Sequence, residues 1–149
     1  MKVSGAISAI LKDKGAQVWT ITPENKVFDA IRLMSDKNVG ALLVVEGETL
    51  LGVVSERDYT RKVALKGKSS RDIAVREIVS PDPITVTPSH TIEDCLRLMT
   101  MHRVRHLPVL EDEKIAGIVS IGDLVNWVIS AQDMAIGQLE GYIHGEYPA

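Results

Sequence analysis

The chain has a single cysteine, Cys95, among its 149 residues, so no internal disulfide can form, and the sequence fits a reducing compartment. Long apolar runs are missing as well. The longest uninterrupted one, residues 41–45, falls far short of the roughly 20 residues a membrane-spanning helix needs. The N-terminal residues lack the apolar middle and small-residue cleavage site of a secretory signal. Neither sign of charge dominates: 17 lysines and arginines against 20 acids leave a net charge of −3, which gives no push toward nucleic acid or an anionic membrane. The expectation is a soluble, cytoplasmic protein with no nucleic-acid partner and no membrane partner.

Several catalytic and binding motifs are absent too. Gly67-Lys68-Ser69 has the ending of a phosphate-binding P-loop, but Lys62 stands where that loop needs its first glycine. His102 and His106 have the spacing of helical zinc ligands. Arg103 occupies the place of a metalloprotease glutamate, however, and Arg105 adds a second repelling charge, so no metal site is expected. There is no Gly-x-Ser-x-Gly elbow and no Gly-x-Gly-x-x-Gly after a strand. Cys95 lies on the apolar face of a predicted helix, where it reads as a small buried hydrophobe.

What the chain does have is a repeat at an offset of 65 residues. Thr20-Ile21-Thr22-Pro23 returns as Thr85-Val86-Thr87-Pro88, and Asp29-Ala30-Ile31-Arg32-Leu33-Met34 as Asp94-Cys95-Leu96-Arg97-Leu98-Met99. A unit that cannot bury its own apolar face must stack on its copy. Each copy reads as strand, helix, strand, strand, helix, hence an α/β fold. In the first, residues 18–21 form a short strand, and Thr22 or Asn25 caps a helix over 26–37 with Val27, Ala30, Ile31 and Met34 on one face. Residues 41–45 and 50–54 are strands joined by a turn at Gly47-Glu48, and 106–110 and 114–119 are their counterparts. The pattern divides the chain into an N-terminal arm (1–16), a first repeat (17–66), a linker (67–81), a second repeat (82–130) and a C-terminal helical extension with its tail (131–149). The arm is expected to contain a short amphipathic helix over residues 3–14. The last helix carries an apolar stripe through Val125, Val128, Ile129, Ala135, Ile136, Leu139 and Ile143. That stripe runs beyond the repeat and needs a surface to bury against, for which a second subunit is the expectation.

The candidate site is repeated as well. Gly52-Val53-Val54-Ser55-Glu56-Arg57-Asp58 matches Gly117-Ile118-Val119-Ser120-Ile121-Gly122-Asp123. Each copy places a glycine in a strand, a serine at the turn and an aspartate in the first turn of the next helix. A serine hydroxyl and free helix-start N–H groups suit a phosphate or sugar oxygen. An aspartate accepts two hydrogen bonds, as from the vicinal hydroxyls of a ribose. The plainer reading, that each pair is only a helix cap, stands beside this one.

On these residues, with Arg105-His106-Leu107-Pro108-Val109 and the Arg-Leu-Met helices, the chain resembles a tandem pair of cystathionine-beta-synthase (CBS) domains over about residues 17–130. The resemblance implies two repeats packed about a pseudo-twofold axis with two clefts between them. Those clefts would take an adenosyl ligand, AMP first, then ATP, ADP, NAD(H) or S-adenosylmethionine. It implies that Asp58 with Ser55, and Asp123 with Ser120, hold the ribose. Phosphate would fall to the basic residues Arg105 and His106, with Arg57 and Lys62 from the other copy. Arg103 stands open between a phosphate ligand and a solvated helix end. The adenine slots are expected around Thr20 and Thr22, with the side chains Val39, Val53, Val104 and Ile118. The first-copy counterparts of Arg105 and His106 are Gly40 and Ala41, so the two clefts are expected to differ. His106 carries the one side-chain type that titrates near neutrality, so phosphate affinity is expected to depend on pH.

The expected function is a non-catalytic regulatory module, with no attached enzyme or transporter domain and no obligatory cofactor. It would act on a separate regulated protein as a homodimer, head-to-head or head-to-tail. The alternative is a scaffold that dimerises through its last helix and has vestigial clefts. An enzyme acting on a nucleotide is the weakest reading, because the aspartates have no paired base, nucleophile or metal set.

Overall fold

The computed structural model describes residues 5–15 and 17–143. Val3 in the expected arm helix, the side chain of Ile143 and the tail beyond it lie outside the described part. The elements are α1 (Ile7–Lys14), β1 (Thr20–Ile21), α2 (Val27–Lys37), β2 (Ala41–Glu46), β3 (Thr49–Ser55), α3 (Glu56–Tyr59), α4 (Ile92–His102), β4 (His106–Glu111), β5 (Lys114–Ser120) and α5 (Ile121–Ile143). A wide π-helical turn, Thr60–Ala64, continues α3, and a 3-10 turn, Val75–Glu77, lies between the repeats.

The offset of 65 survives down to irregularities. β2 pairs antiparallel with β3 and β4 with β5, and both ladders slip at matching places, Val44/Val45 and Val109/Leu110. Asn38 and Arg103, at the ends of α2 and α4, are both left-handed with φ 54. Asn tolerates that conformation, whereas a long side chain is uncommon there. β1 adds a parallel strand to the first sheet through Thr20↔Leu43 and Ile21↔Val44, and its counterpart in the second is the single bridge Val86↔Val109.

Two details differ from the sequence reading. The first strand is Thr20–Ile21, shorter than 18–21. Neither Thr22 nor Asn25 caps α2: the N-cap is Lys26, without a side-chain bond. Instead the Asn25 carboxamide oxygen accepts from both the N–H and the hydroxyl of Thr22, locking the turn before the helix. Thr91 does cap α4, in a reciprocal capping box with Asp94.

Each repeat has its own core, and each core is completed by a segment that belongs to neither strand–helix pattern. Ile73, Val75 and Ile78, between the repeats, are buried with Ala30, Met34, Leu42 and Val54 of the first repeat. Ile7 and Ile10 of α1 are buried with Cys95, Met99, Leu107 and Leu124 of the second. The two segments dock alike, through the bridges Lys26↔Ala74 and Ala6↔Thr91. The arm that precedes the first repeat therefore closes the core of the second. Each fully buried isoleucine contributes about 1.5–3 kcal/mol.

The same crossing fixes two glycines. A Cβ on Gly52 would lie 2.4 Å from the Ser80 backbone oxygen, whereas one on Gly117 would meet only the Leu11 side-chain tip, at 2.6 Å. Gly52→Ala must displace main chain and is expected to cost about 2–3 kcal/mol, within the range of overpacking. Gly117→Ala, relieved by a rotamer change, is expected to cost under about half of that. Urea denaturation of the two variants checks the order.

Candidate functional site

The site begins where β3 turns into α3. Ser55 keeps the extended conformation of the strand (φ −126, ψ 166), and its hydroxyl accepts from the Asp58 N–H at 3.3 Å. The Asp58 carboxylate accepts in return from the Ser55 N–H at 2.8 Å and its hydroxyl at 3.1 Å. The second copy repeats the exchange between Ser120 and Asp123 at 2.8 and 3.1 Å. The capping reading is therefore realised in both copies. A cap uses only part of a carboxylate's acceptor capacity of about four lone-pair positions, and the surroundings decide what the rest faces.

Around Asp58 the surroundings are a cavity of about 550 Å³ between the repeats. From the first repeat it is lined by Val53, Ser55, Arg57, Asp58 and Lys62, and from the second by Arg103, Val104, Arg105 and His106. These are nine of the residues singled out in the sequence. The cavity also takes in Gly40, Glu56 and Arg61, the segment residues Ser80, Pro83 and Ile84, and Pro108, which that reading missed. Arg61 had a signal, standing four residues after Arg57 on one helical face. Ser80, Pro83 and Ile84 had none, because the passage of the chain from the linker across β3 into the second repeat is a tertiary event. The π turn places the neighbours Arg61 and Lys62 at the same cavity. The Lys62 ammonium donates to the Ile78 carbonyl at 2.9 Å and to Ser80 Oγ at 3.2 Å, and lies 3.2 Å from Asp58 Oδ1.

The remaining expected residues lie elsewhere. Val39 lines a neighbouring cavity of about 730 Å³, with Ile31, Met34 and Tyr59, which shares only Gly40 and Glu56 with the first. Thr20 sits in β1 opposite Leu43, and Thr22 in the turn before α2; neither lines the interrepeat cavity. Ser120, Asp123 and Ile118 form the matching corner of the second repeat, where the ammonium of Lys14 lies 2.8 Å from Asp123 Oδ2 and 3.0 Å from the Ile118 carbonyl oxygen.

The cavity is electropositive although the chain is acidic. Arg57, Arg61, Lys62, Arg103 and Arg105 face Glu56 and Asp58. His106 does not add a charge at neutrality, contrary to the reading of a group poised there. Burial, and then the nearby Lys14 and Arg105 cations, hold its imidazole below the ordinary 6.5, with Asp123 opposing them. The unfolded chain therefore binds more protons than the fold between the folded value and 6.5, so stability contributed by neutral His106 is complete above about pH 6.5 and is lost as pH falls through the folded value. Asp94 and Asp123, held below 3.8, act in the same sense but only at lower pH. Wild type is expected to lose denaturation stability between pH 7.5 and 5.5, and His106→Gln to lose less over that interval.

Burial also pushes the Cys95 thiol up to about 11, as suits a core residue and not a nucleophile. Among the described residues no cluster of three or more His, Cys, Asp or Glu is placed to hold a metal, and no helix is long and apolar enough to cross a membrane.

Comparison with known proteins gives this geometry a context. The family model for the CBS domain matches the chain twice, over residues 13–65 and 75–130. The mitochondrial CBS domain-containing protein CBSX3 of Arabidopsis thaliana is 39% identical over 154 residues, spanning 97% of this chain and 74% of its own. A solved structure described as a putative signal-transduction protein with CBS domains, from Burkholderia ambifaria, superposes with a TM-score of 0.83 at 47% identity, covering 86% of this chain and 96% of that one. The CBS domain pair of protein MJ0100, solved in complex with 5′-methylthioadenosine and S-adenosyl-L-methionine, shares the fold at a TM-score of 0.73 and 19% identity, covering 82% of this chain and 98% of its own.

Proposed function

Because the chain belongs to the CBS-domain family, whose pairs in general bind adenosyl ligands and act as regulatory modules, we propose that it is a non-catalytic sensor of adenine nucleotides and that the ligand lies in the cavity between Asp58 and Arg105. One observation carries the reading: an acid suited to a ribose and five cations suited to phosphate line the same cavity, Asp58, Arg57, Arg61 and Lys62 from the first repeat and Arg103 and Arg105 from the second. The cations also rank the ligands. A sulfonium such as S-adenosylmethionine meets like charge, AMP uses part of the positive field, and ADP and ATP use more of it. Val53, Val104, Ile84 and Pro108 offer the apolar lining that a purine needs. A ligand that touches both repeats alters how they pack, and only to the extent that it prefers one packing over the other. That altered packing is what a regulated partner protein would read.

The second reading, a scaffold, draws on α5, whose residues 129–140 are exposed on every face. It differs from the first in requiring no ligand. Thermal unfolding with adenosine, AMP, ADP, ATP and S-adenosylmethionine separates them. The sensor reading predicts that at equal concentration the di- and triphosphate stabilise most, reaching about 2.7 kcal/mol where that concentration is 100 times their dissociation constant, and that the sulfonium stabilises least. No shift with any of the five rejects it in favour of the scaffold.

A further inference from the structure

The serine–aspartate corner of the first repeat recurs at the same offset in the second, yet the two corners have different occupants. Val53 and Asp58 line the open cavity of the first. Their counterparts, Ile118 and Asp123, both give an oxygen to a single ammonium, that of Lys14. The lysine comes from outside the repeat. It is the last residue of α1, which is held to the second core by buried Ile7 and Ile10, by the Ile7 N–H bond to the His90 carbonyl, and by Leu11 lying over Gly117. Gly15, with φ +91, donates its N–H to the Leu11 carbonyl and ends the helix directly after Lys14. The base of the lysine is thus fixed, and its flexible four-carbon stem carries the charge into the corner that a ribose would use.

We propose that Lys14 is a built-in occupant of the second cleft: its ammonium takes the Asp123 carboxylate that would otherwise bind a nucleoside, so that the resting chain binds ligand at the Asp58 cleft alone. Lys62 also approaches Asp58, but from its own helix and beside an open cavity. Lys14 reaches Asp123 from α1, outside the repeat. Releasing it requires only that the side chain swing away, since α1 keeps its other anchors. The proposal rests on the nucleotide reading of the clefts, and the experiment separates the two.

Adenosine, which has the ribose without phosphate, is titrated by calorimetry into wild type and into Lys14→Met, a substitution that keeps the stem and removes the charge. The expected stoichiometry is one per chain for wild type and two for Lys14→Met, returning to one in Lys14→Met/Asp123→Asn. One adenosine bound by both wild type and Lys14→Met, or two by both, overturns the lysine gate and leaves the nucleotide reading standing. No adenosine bound by either overturns the gate, and the nucleotide reading falls with it only if ADP and ATP also fail to bind. A readout independent of ligand comes from His106, which feels Lys14, Asp123 and Arg105. NMR titration is expected to show its imidazole titrating at higher pH in Lys14→Met than in wild type. An unchanged or lower midpoint means the ammonium does not sit in this corner in solution, which also overturns the gate.

Discussion

Asp58→Ala is expected to weaken ADP binding about 100-fold and to leave the protein folded. Two hydrogen bonds from ribose hydroxyls to an ionised acceptor contribute roughly 1.5–3 kcal/mol each, and the lower end of their sum, about 3 kcal/mol, corresponds to a factor somewhat over 100. The same side chain closes the capping box with Ser55 and pairs with Lys62, so stability falls too, by about 1 kcal/mol for the cap. Asp58→Asn separates the two effects. It keeps an acceptor for the Ser55 N–H but removes the charge, so it is expected to retain most of the stability and still lose at least about ten-fold in affinity. Calorimetry at one salt concentration, paired with urea denaturation, measures both. Near-normal affinity in a folded Asp58→Ala protein would mean that the carboxylate is only a cap.

The second large effect is expected at α5. The helix has 23 residues, about 34 Å at 1.5 Å per residue. Its first turns pack through Leu124, Trp127 and Val128, after which residues 129–140 touch water all round. Ile129, Met134, Ile136 and Leu139 are exposed by 49, 67, 54 and 60%. A free helical segment this short is marginal in water, and tertiary or quaternary packing is what ordinarily holds one. We therefore expect two copies to pair along it. Ile129→Asp/Ile136→Asp is expected to convert the dimer to a monomer without unfolding the core, because neither side chain is buried in the chain itself. Light scattering on the eluting protein reads the mass directly. A monomeric wild type, or a dimer that survives both substitutions, places the interface elsewhere.

Much of this protein was legible in its sequence because duplication removes ambiguity. A lone Ser-x-x-Asp after a strand is a helix cap. Two of them at matching places, with the same glycine three residues before each serine, directed attention to Ser55, Asp58, Ser120 and Asp123, and with the Arg-Leu-Met helices and residues 105–109 carried the resemblance to a CBS pair. The apolar faces of α2 and α4 were readable from spacing, down to Cys95 as a core residue. What the sequence hid are effects carried by space. The Ile73–Ile78 segment falls within the stretch assigned as a linker, yet it finishes the first core. Thr22 and Asn25 look like caps but bind each other. His106 looked poised at neutrality until its burial and the approach of Lys14 from a distant helix were known. An asymmetry of charge between the copies was visible in Gly40 and Ala41 against Arg105 and His106. Its other half, Lys14 lying on Asp123, arises from the crossing of the arm to the second repeat, which no local pattern records.

The most direct test of the account is a crystal structure of the protein grown with ADP. It is expected to show the ribose hydroxyls within hydrogen-bond distance of the Asp58 carboxylate and the phosphates against Arg57, Arg103 and Arg105. A nucleotide bound outside that cavity, or a cavity left empty at saturating ADP while Asp58 keeps only Ser55 and Lys62 as partners, would contradict it.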